Sequence, residues 1–188
     1  MAQQDHADQC PPDILSEAIA TVRADDQRGL EQIELLLKTY SHDARLHFLR
    51  GSLLASQQRY GDARQAMQMA IQIAPDYAVA RFQLGFLELT SGDAGAAEVT
   101  WGPLERLAPD DPLRLFCTGL RHLIRDEFAP AIETLAAGMT LNTENPALNG
   151  DMQLIIDKSR ELMRGQGEEP TSSAHLLLQQ YSAKATRH

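Results

Sequence analysis

Two adjacent carboxylate pairs, Asp25-Asp26 and Asp110-Asp111, two cysteines and six histidines are the residues of this 188-residue chain best suited to chemistry. A carboxylate pair can divide general acid and general base roles when its surroundings push the two pKa values apart. A cysteine beside a base can act as a nucleophile, and closely spaced His, Cys and acidic side chains can hold a metal. The spacing here supports none of these. Both acidic pairs sit at turns, where capping and solvation account for them. Cys10 and Cys117 form neither a CxxC pair nor a zinc-type spacing, and Cys117 lies in a strongly apolar stretch, where a small buried hydrophobe belongs. The histidines show no HxxxH or HExxH pattern, and no phosphate-cradling glycine loop or nucleophile elbow is present. The expectation is a chain that is not an enzyme and uses no metal or cofactor.

Composition narrows the partners. A net charge of −9 and a pI near 5.1 argue against nucleic acid, which needs a clustered basic surface. Aromatic content is only 5%, so a core must rest on Leu, Ala, Ile and Met. The start of the chain has no basic n-region and no apolar h-region, and no run approaches the ~18 apolar residues of a membrane span. These features predict a cytoplasmic, reduced protein with no membrane span.

The elements follow from a repeat. Phe48, Phe82 and Phe116 recur at one fixed interval (82 − 48 = 34; 116 − 82 = 34), the length of one helix–turn–helix unit in a stacked array. With frames of that length begun at Cys10, Ala44, Ala78 and Pro112, the eighth position reads Glu17, Gly51, Gly85 and Gly119. The twentieth reads Gly29, Ala63, Ala97 and Ala131. Small residues there let two antiparallel helices approach closely. Position 24 reads Ile33, Met67, Trp101 and Leu135, an inward-pointing set. Pro75 and Pro109 stop second helices. Asp111-Pro112 and Asn145-Pro146 place a capping side chain before an N1 proline.

Gly51–Ala63–Ala70–Pro75, and with one substitution Gly85–Ala97–Leu104–Pro109, resemble the tetratricopeptide repeat family. The resemblance is strong over residues 44–145 and weak over 10–43. It departs at the family's aromatic positions 4 and 11, here His47, Arg81, Leu115 and Leu54, Glu88, His122. It implies an all-α, right-handed solenoid of about four helix–turn–helix repeats with a C-terminal capping helix. The first helix of each repeat would line a concave surface. Helix pairs are expected over 13–24/27–40, 44–57/60–74, 78–90/94–108 and 112–125/128–142. Residues 1–9 read as a disordered N-terminus, and 10–164 as the array. Within it 10–43 is degenerate, 44–77, 78–111 and 112–145 are regular, and 146–164 is the cap. Residues 165–173 read as a linker of turn and polar types. In 174–188, Ala174, Leu177, Leu178, Tyr181 and Ala185 fall at spacings 0, 3, 4, 7 and 11, one face of a short helix.

The resemblance also places candidate binding residues. Concave positions in the family carry over to Phe48, Phe82, Phe86, Phe116, Leu120 and Leu123, an apolar ladder. The Lys and Asn residues with which the family's carboxylate-gripping members hold a peptide C-terminus are absent at these positions. Met67, Trp101, Leu104, Leu107, Leu135 and Leu141 are expected to supply the core, leaving the ladder exposed for a partner. The function expected is a non-catalytic adaptor, chaperone or assembly factor holding an apolar peptide or helix of another protein, or the chain's own C-terminal tail. A self-associating, homo-oligomeric scaffold and an accessory subunit of an enzyme complex are the alternatives.

Overall fold

The computed structural model describes residues 9–165. Among them the regular structure is wholly helical, in nine α-helices and one 3-10 helix, with no strand. They are α1 (Pro12–Ala24), α2 (Asp26–Thr39), α3 (Ala44–Ser56), α4 (Tyr60–Ile73), α5 (Ala78–Thr90), α6 (Ala94–Trp101), α7 (Pro112–Ile124), α8 (Phe128–Leu141) and α9 (Pro146–Gly165). The 3-10 helix, Gly102–Arg106, follows α6 directly. Two compact units divide the chain inside α5, one ending at Leu84 and the other beginning at Gly85.

In the first unit α1 packs on α2, α2 on α3, and α3 on α4. Its core is Ala18, Leu30, Ile33, Leu46, Leu53, Leu54, Ala63, Ala66, Met67 and Ala70, all buried. In the second unit α7 packs on α8 and α8 on α9, while the 3-10 helix lies against α7. Trp101, Leu104, Leu135, Leu148, Met152, Ile155 and Ile156 are buried there. The second-helix residue at position 24 seats on the first-helix glycine at position 8. A Cβ on Gly51 would lie 2.6 Å from Met67 Cγ, one on Gly85 2.6 Å from Trp101 Cδ1, and one on Gly119 2.6 Å from Leu135 Cγ. The close approach that the small residues predict is therefore made through a large side chain filling the place of the missing one.

The turns inside three of the pairs are copies of one another. The amides of Arg59, Asp93 and Glu127 donate to the carbonyls of Leu54, Glu88 and His122, each at 2.9 Å, closing the first helix by reaching back past its last turn. Each turn passes through one left-handed residue: Gln58 (φ 62°), Gly92 (φ 91°) and Asp126 (φ 57°). Only Gly92 adopts that conformation without steric cost. Between pairs, Asp43 Oδ1 accepts from the Arg45 amide (2.9 Å), Asp111 Oδ1 from the Leu113 amide (2.8 Å) and Asn145 Oδ1 from the Leu148 amide (3.4 Å). These are N-caps at one frame position.

Two expectations change, the end of one helix and part of the core. The second helix of the third pair, expected to run to 108, ends at Trp101. Pro103 has no amide to continue the ladder, and its ring clashes with the carbonyl four residues back, so the chain tightens into the 3-10 helix. Leu141, expected in the core, is 48% exposed at the last turn of α8, and Leu107 is half-buried. The expected short helix over 174–188 lies outside the described residues. On the last helix, α9, Asn149 faces back to the end of α8, its Nδ2 donating to the Asn142 carbonyl (3.1 Å). Gln153 stands at position 8 in place of glycine, so no second helix can seat there as in the preceding pairs.

Candidate functional site

The residues that suggested acid–base chemistry are helix caps and surface. Asp25 Oδ1 accepts from the amides of Gln27 and Arg28 (both 3.0 Å), Asp26 accepts from the Ser56 hydroxyl (3.1 Å), Asp111 caps α7 and Asp110 is exposed. Burial pushes the Cys117 thiol well above its usual value, and burial followed by the Asp43 charge raises Cys10. Thiols so shifted are poor nucleophiles. No group of three or more His, Cys, Asp or Glu side chains fit for a metal occurs among the described residues. Among the same residues, no helix is long and apolar enough to cross a membrane.

The expected binding ladder divides. Phe82, Phe116, Leu120 and Leu123 have no exposed surface, and Phe86 is 6% exposed. The expectation that they stand open in a groove is corrected. For Phe116 the reason is Gly138 on α8: a Cβ there would lie 2.7 Å from Phe116 Cε1, so the ring occupies the space the glycine leaves. Phe48 differs. It is partly exposed, as are Leu49, Ser52 and Ala55 on the same side of α3 and Val79 and Gln83 at the start of α5. The Phe48 ring meets Tyr77 edge-on, centroids 5.4 Å apart at 64°, a geometry aromatic pairs favour.

Tyr77 is the partner of the Phe48 ring. It occupies the frame position that Asp43, Asp111 and Asn145 use for capping (43 + 34 = 77), but it uses its ring in place of a cap. Its phenol is pushed above the usual value by burial, against the pull of Arg45. Below it lies a polar node that sequence reasoning missed. Buried Asp43 takes Arg45 Nε on Oδ1 (3.0 Å) and Arg45 Nη2 on Oδ2 (2.6 Å), and its Oδ2 also accepts from the Cys10 amide (2.8 Å). Arg45 Nη2 donates in turn to the Cys10 carbonyl (2.7 Å). The signal was present, since Asp43 stands two frames before Asp111 (111 − 43 = 68), but no proline follows it. The same locality explains the departures at position 4. His47 Nε2 hydrogen-bonds the Ser41 carbonyl (2.8 Å), and Arg81 Nη2 donates to the Pro75 carbonyl (2.8 Å). Polar side chains here satisfy carbonyls of the connecting loops. At position 11, buried Glu88 accepts from the Thr100 hydroxyl (2.7 Å).

Burial raises the Asp43 pKa, but its hydrogen bonds from Arg45 and the Cys10 and Arg45 amides outweigh that and hold it below the usual carboxylate range. A carboxylate lowered in the folded state stabilises above its unfolded value near 3.9, and that stability is lost as pH falls through the folded value. Asp43→Ala is therefore expected to cost about 2 kcal/mol at neutral pH through lost capping and buried hydrogen bonds. The exposed third of Arg45 limits what the pair itself adds. Urea melts should show that deficit shrinking as pH is lowered below about 4; a deficit independent of pH would contradict the ionised node.

Leu154 was also missed. It stands on α9 one frame after Leu120 (120 + 34 = 154) and is 56% exposed, while Leu120 is fully buried.

No protein-family model and no curated protein sequence matches the chain. Its structure is similar to that of MamA, residues 41 to the end, from Desulfovibrio magneticus RS-1, with a TM-score of 0.56 and 18% identity over 82% of this chain and 96% of that one. At that identity the likeness is one of architecture: the chain has the all-α, tandem helix-pair fold of tetratricopeptide-repeat proteins.

Proposed function

We propose that the chain is a non-catalytic protein-interaction module, an adaptor, chaperone or assembly factor, that holds an apolar segment of another protein against its first-helix face at Phe48. The observation that carries this is the partly exposed run of Phe48, Leu49, Ser52 and Ala55 on α3, with the Phe48 ring against Tyr77. The core of that unit is already filled by Leu46, Leu53, Leu54 and Met67, so the Phe48 row is left over for contact. An apolar helix or extended segment laid across helical faces is a recurring recognition mode, with an aromatic as its anchor. The repeat fold supports a protein partner. A cytoplasmic setting fits two buried cysteines, neither in a disulfide.

A photo-crosslinking amino acid at position 48, introduced in the native cell, tests the reading. One dominant foreign protein should be captured, and a second substitution, Leu49→Asp, should abolish capture. Adducts to further copies of this chain alone would favour the self-associating scaffold. Phe48→Glu should lower the melting temperature less than the same change at a fully buried phenylalanine, since part of the Phe48 side chain already meets solvent.

A further inference from the structure

Asp43 and Arg45 together hold both backbone hydrogen-bonding groups of one residue. Asp43 Oδ2 accepts from the Cys10 amide (2.8 Å), and Arg45 Nη2 donates to the Cys10 carbonyl (2.7 Å). The two side chains are locked to each other through Nη2 and Oδ2 (2.6 Å) and through Nε and Oδ1 (3.0 Å). An acceptor and a donor set side by side for one N–H and one C=O are what the edge of a neighbouring β-strand offers an extended residue. Pro11 suits this grip. It disfavours helical geometry in the residue before it, and its own angles (φ −54°, ψ 143°) continue an extended course. The Cys10 side chain is only 1% exposed, so its place is fitted to a small residue.

The array does not need this fork. One and two frames on, the places of Asp43 and Arg45 are taken by Tyr77 and Val79, then by Asp111 and Leu113 (45 + 34 = 79; 79 + 34 = 113). Capping of α3 takes only Oδ1 of Asp43, which leaves Oδ2 to the Cys10 segment. The fork also borders the Phe48 face. Arg45 lies three, four and seven residues before Phe48, Leu49 and Ser52 on one side of α3, and all four are partly exposed. Its charge acts on Tyr77, the partner of the Phe48 ring. We propose that Asp43 and Arg45 form a backbone-reading site at the end of that face, occupied at rest by Cys10–Pro11 of the same chain and exchangeable for an extended partner segment with a small residue before proline. Main-chain bonds give such a site its affinity, and the side-chain pocket gives its choice of sequence. The source of the incoming segment rests on the partner-binding reading above; the exchange itself does not.

Maleimide labelling of the full chain, with Cys10 and Cys117 resolved by mass spectrometry, tests the exchange. Cys117 is buried in α7 and labels when the fold opens, whereas Cys10 also labels when its segment leaves the fork. Below the melting temperature Cys10 should label at least about tenfold faster than Cys117, because local opening is more frequent than global unfolding. A synthetic peptide of residues 7–14 carrying Cys10→Ala, at about ten times its Kd, should accelerate Cys10 labelling about tenfold by mass action and leave Cys117 unchanged. The same peptide methylated on the backbone nitrogen of residue 10 cannot donate to Asp43 and should have no effect. Arg45→Ala should release Cys10 without peptide and make its labelling insensitive to it. Equal labelling of the two thiols, no effect of the peptide, or an equal effect of the methylated peptide overturns the proposal. Cys10 protection that fades on dilution would put a second copy's segment in the fork and overturn the intramolecular occupancy. The position-48 cross-link is read separately: if it captures no foreign protein while the peptide still exchanges, the partner reading falls and the backbone-reading site stands.

Discussion

Phe116→Glu is expected to abolish cooperative folding at room temperature, and Phe82→Glu and Trp101→Glu to do the same. All three side chains have no exposed surface. Truncating a buried aromatic costs about 3–5 kcal/mol by itself, and placing a carboxylate in the space adds the cost of an uncompensated buried charge, several kcal/mol more. The total stability of a domain is about 5–15 kcal/mol, so the native state does not survive the sum. For Phe116 the loss is specific. Its ring fills the volume left by Gly138 on α8, so the substitution removes the contact that seats α7 on α8. Phe48→Glu, at the same position of an earlier frame, should cost clearly less, because that side chain is only partly buried. Circular dichroism melts of the four variants give a direct comparison, and a Phe116→Glu protein melting within a few degrees of the parent would show that the ring is not part of the core.

The second large effect is expected at Gly85. A Cβ there would overlap the Trp101 indole, with Cδ1 at 2.6 Å and Cε2 at 2.7 Å, a rigid ring itself fully buried. Gly85→Ala should therefore destabilise by about 1–3 kcal/mol through overpacking, despite the helix propensity that alanine adds. Gly61, in the first turn of α4, is the internal control. A Cβ there meets nothing within 4 Å, so Gly61→Ala should stabilise by up to about 1 kcal/mol on propensity alone. Opposite signs for the same chemical change, read as urea midpoints, would confirm that the glycine at position 8 is a packing residue. Equal shifts would mean that the indole yields and that the seat of Trp101 on α5 is loose.

Much of this architecture was legible before any coordinates. The fixed interval between Phe48, Phe82 and Phe116 constrains chain geometry strongly, because one helix–turn–helix pair needs that length to return the chain to its starting direction. Pro112 and Pro146 mark helix starts through their fixed backbone angle, and the aspartate or asparagine before each caps the helix that follows. Asp43 performs the same function without a proline and was overlooked. The break after Trp101 was written locally in Gly102-Pro103, but the regularity of the frame outweighed it. Local chemistry prevailed in the structure because a proline cannot continue a hydrogen-bond ladder.

What the sequence could not determine is which side of a first helix is open. Phe48, Phe82 and Phe116 hold one frame position and are chemically identical, yet one is partly exposed and two are buried. Periodicity places a residue on a face to within a fraction of a turn. Whether that face meets solvent depends on what the neighbouring elements bring to it. Gly138 opens a space for Phe116, whereas Phe48 meets the edge of Tyr77, which stands where other frames carry a capping side chain. Each of those partners comes from a different helix or loop, well separated along the chain (138 − 116 = 22; 77 − 48 = 29). Their effect arises from side-chain volume across a helix–helix contact, and only the packed tertiary structure expresses it.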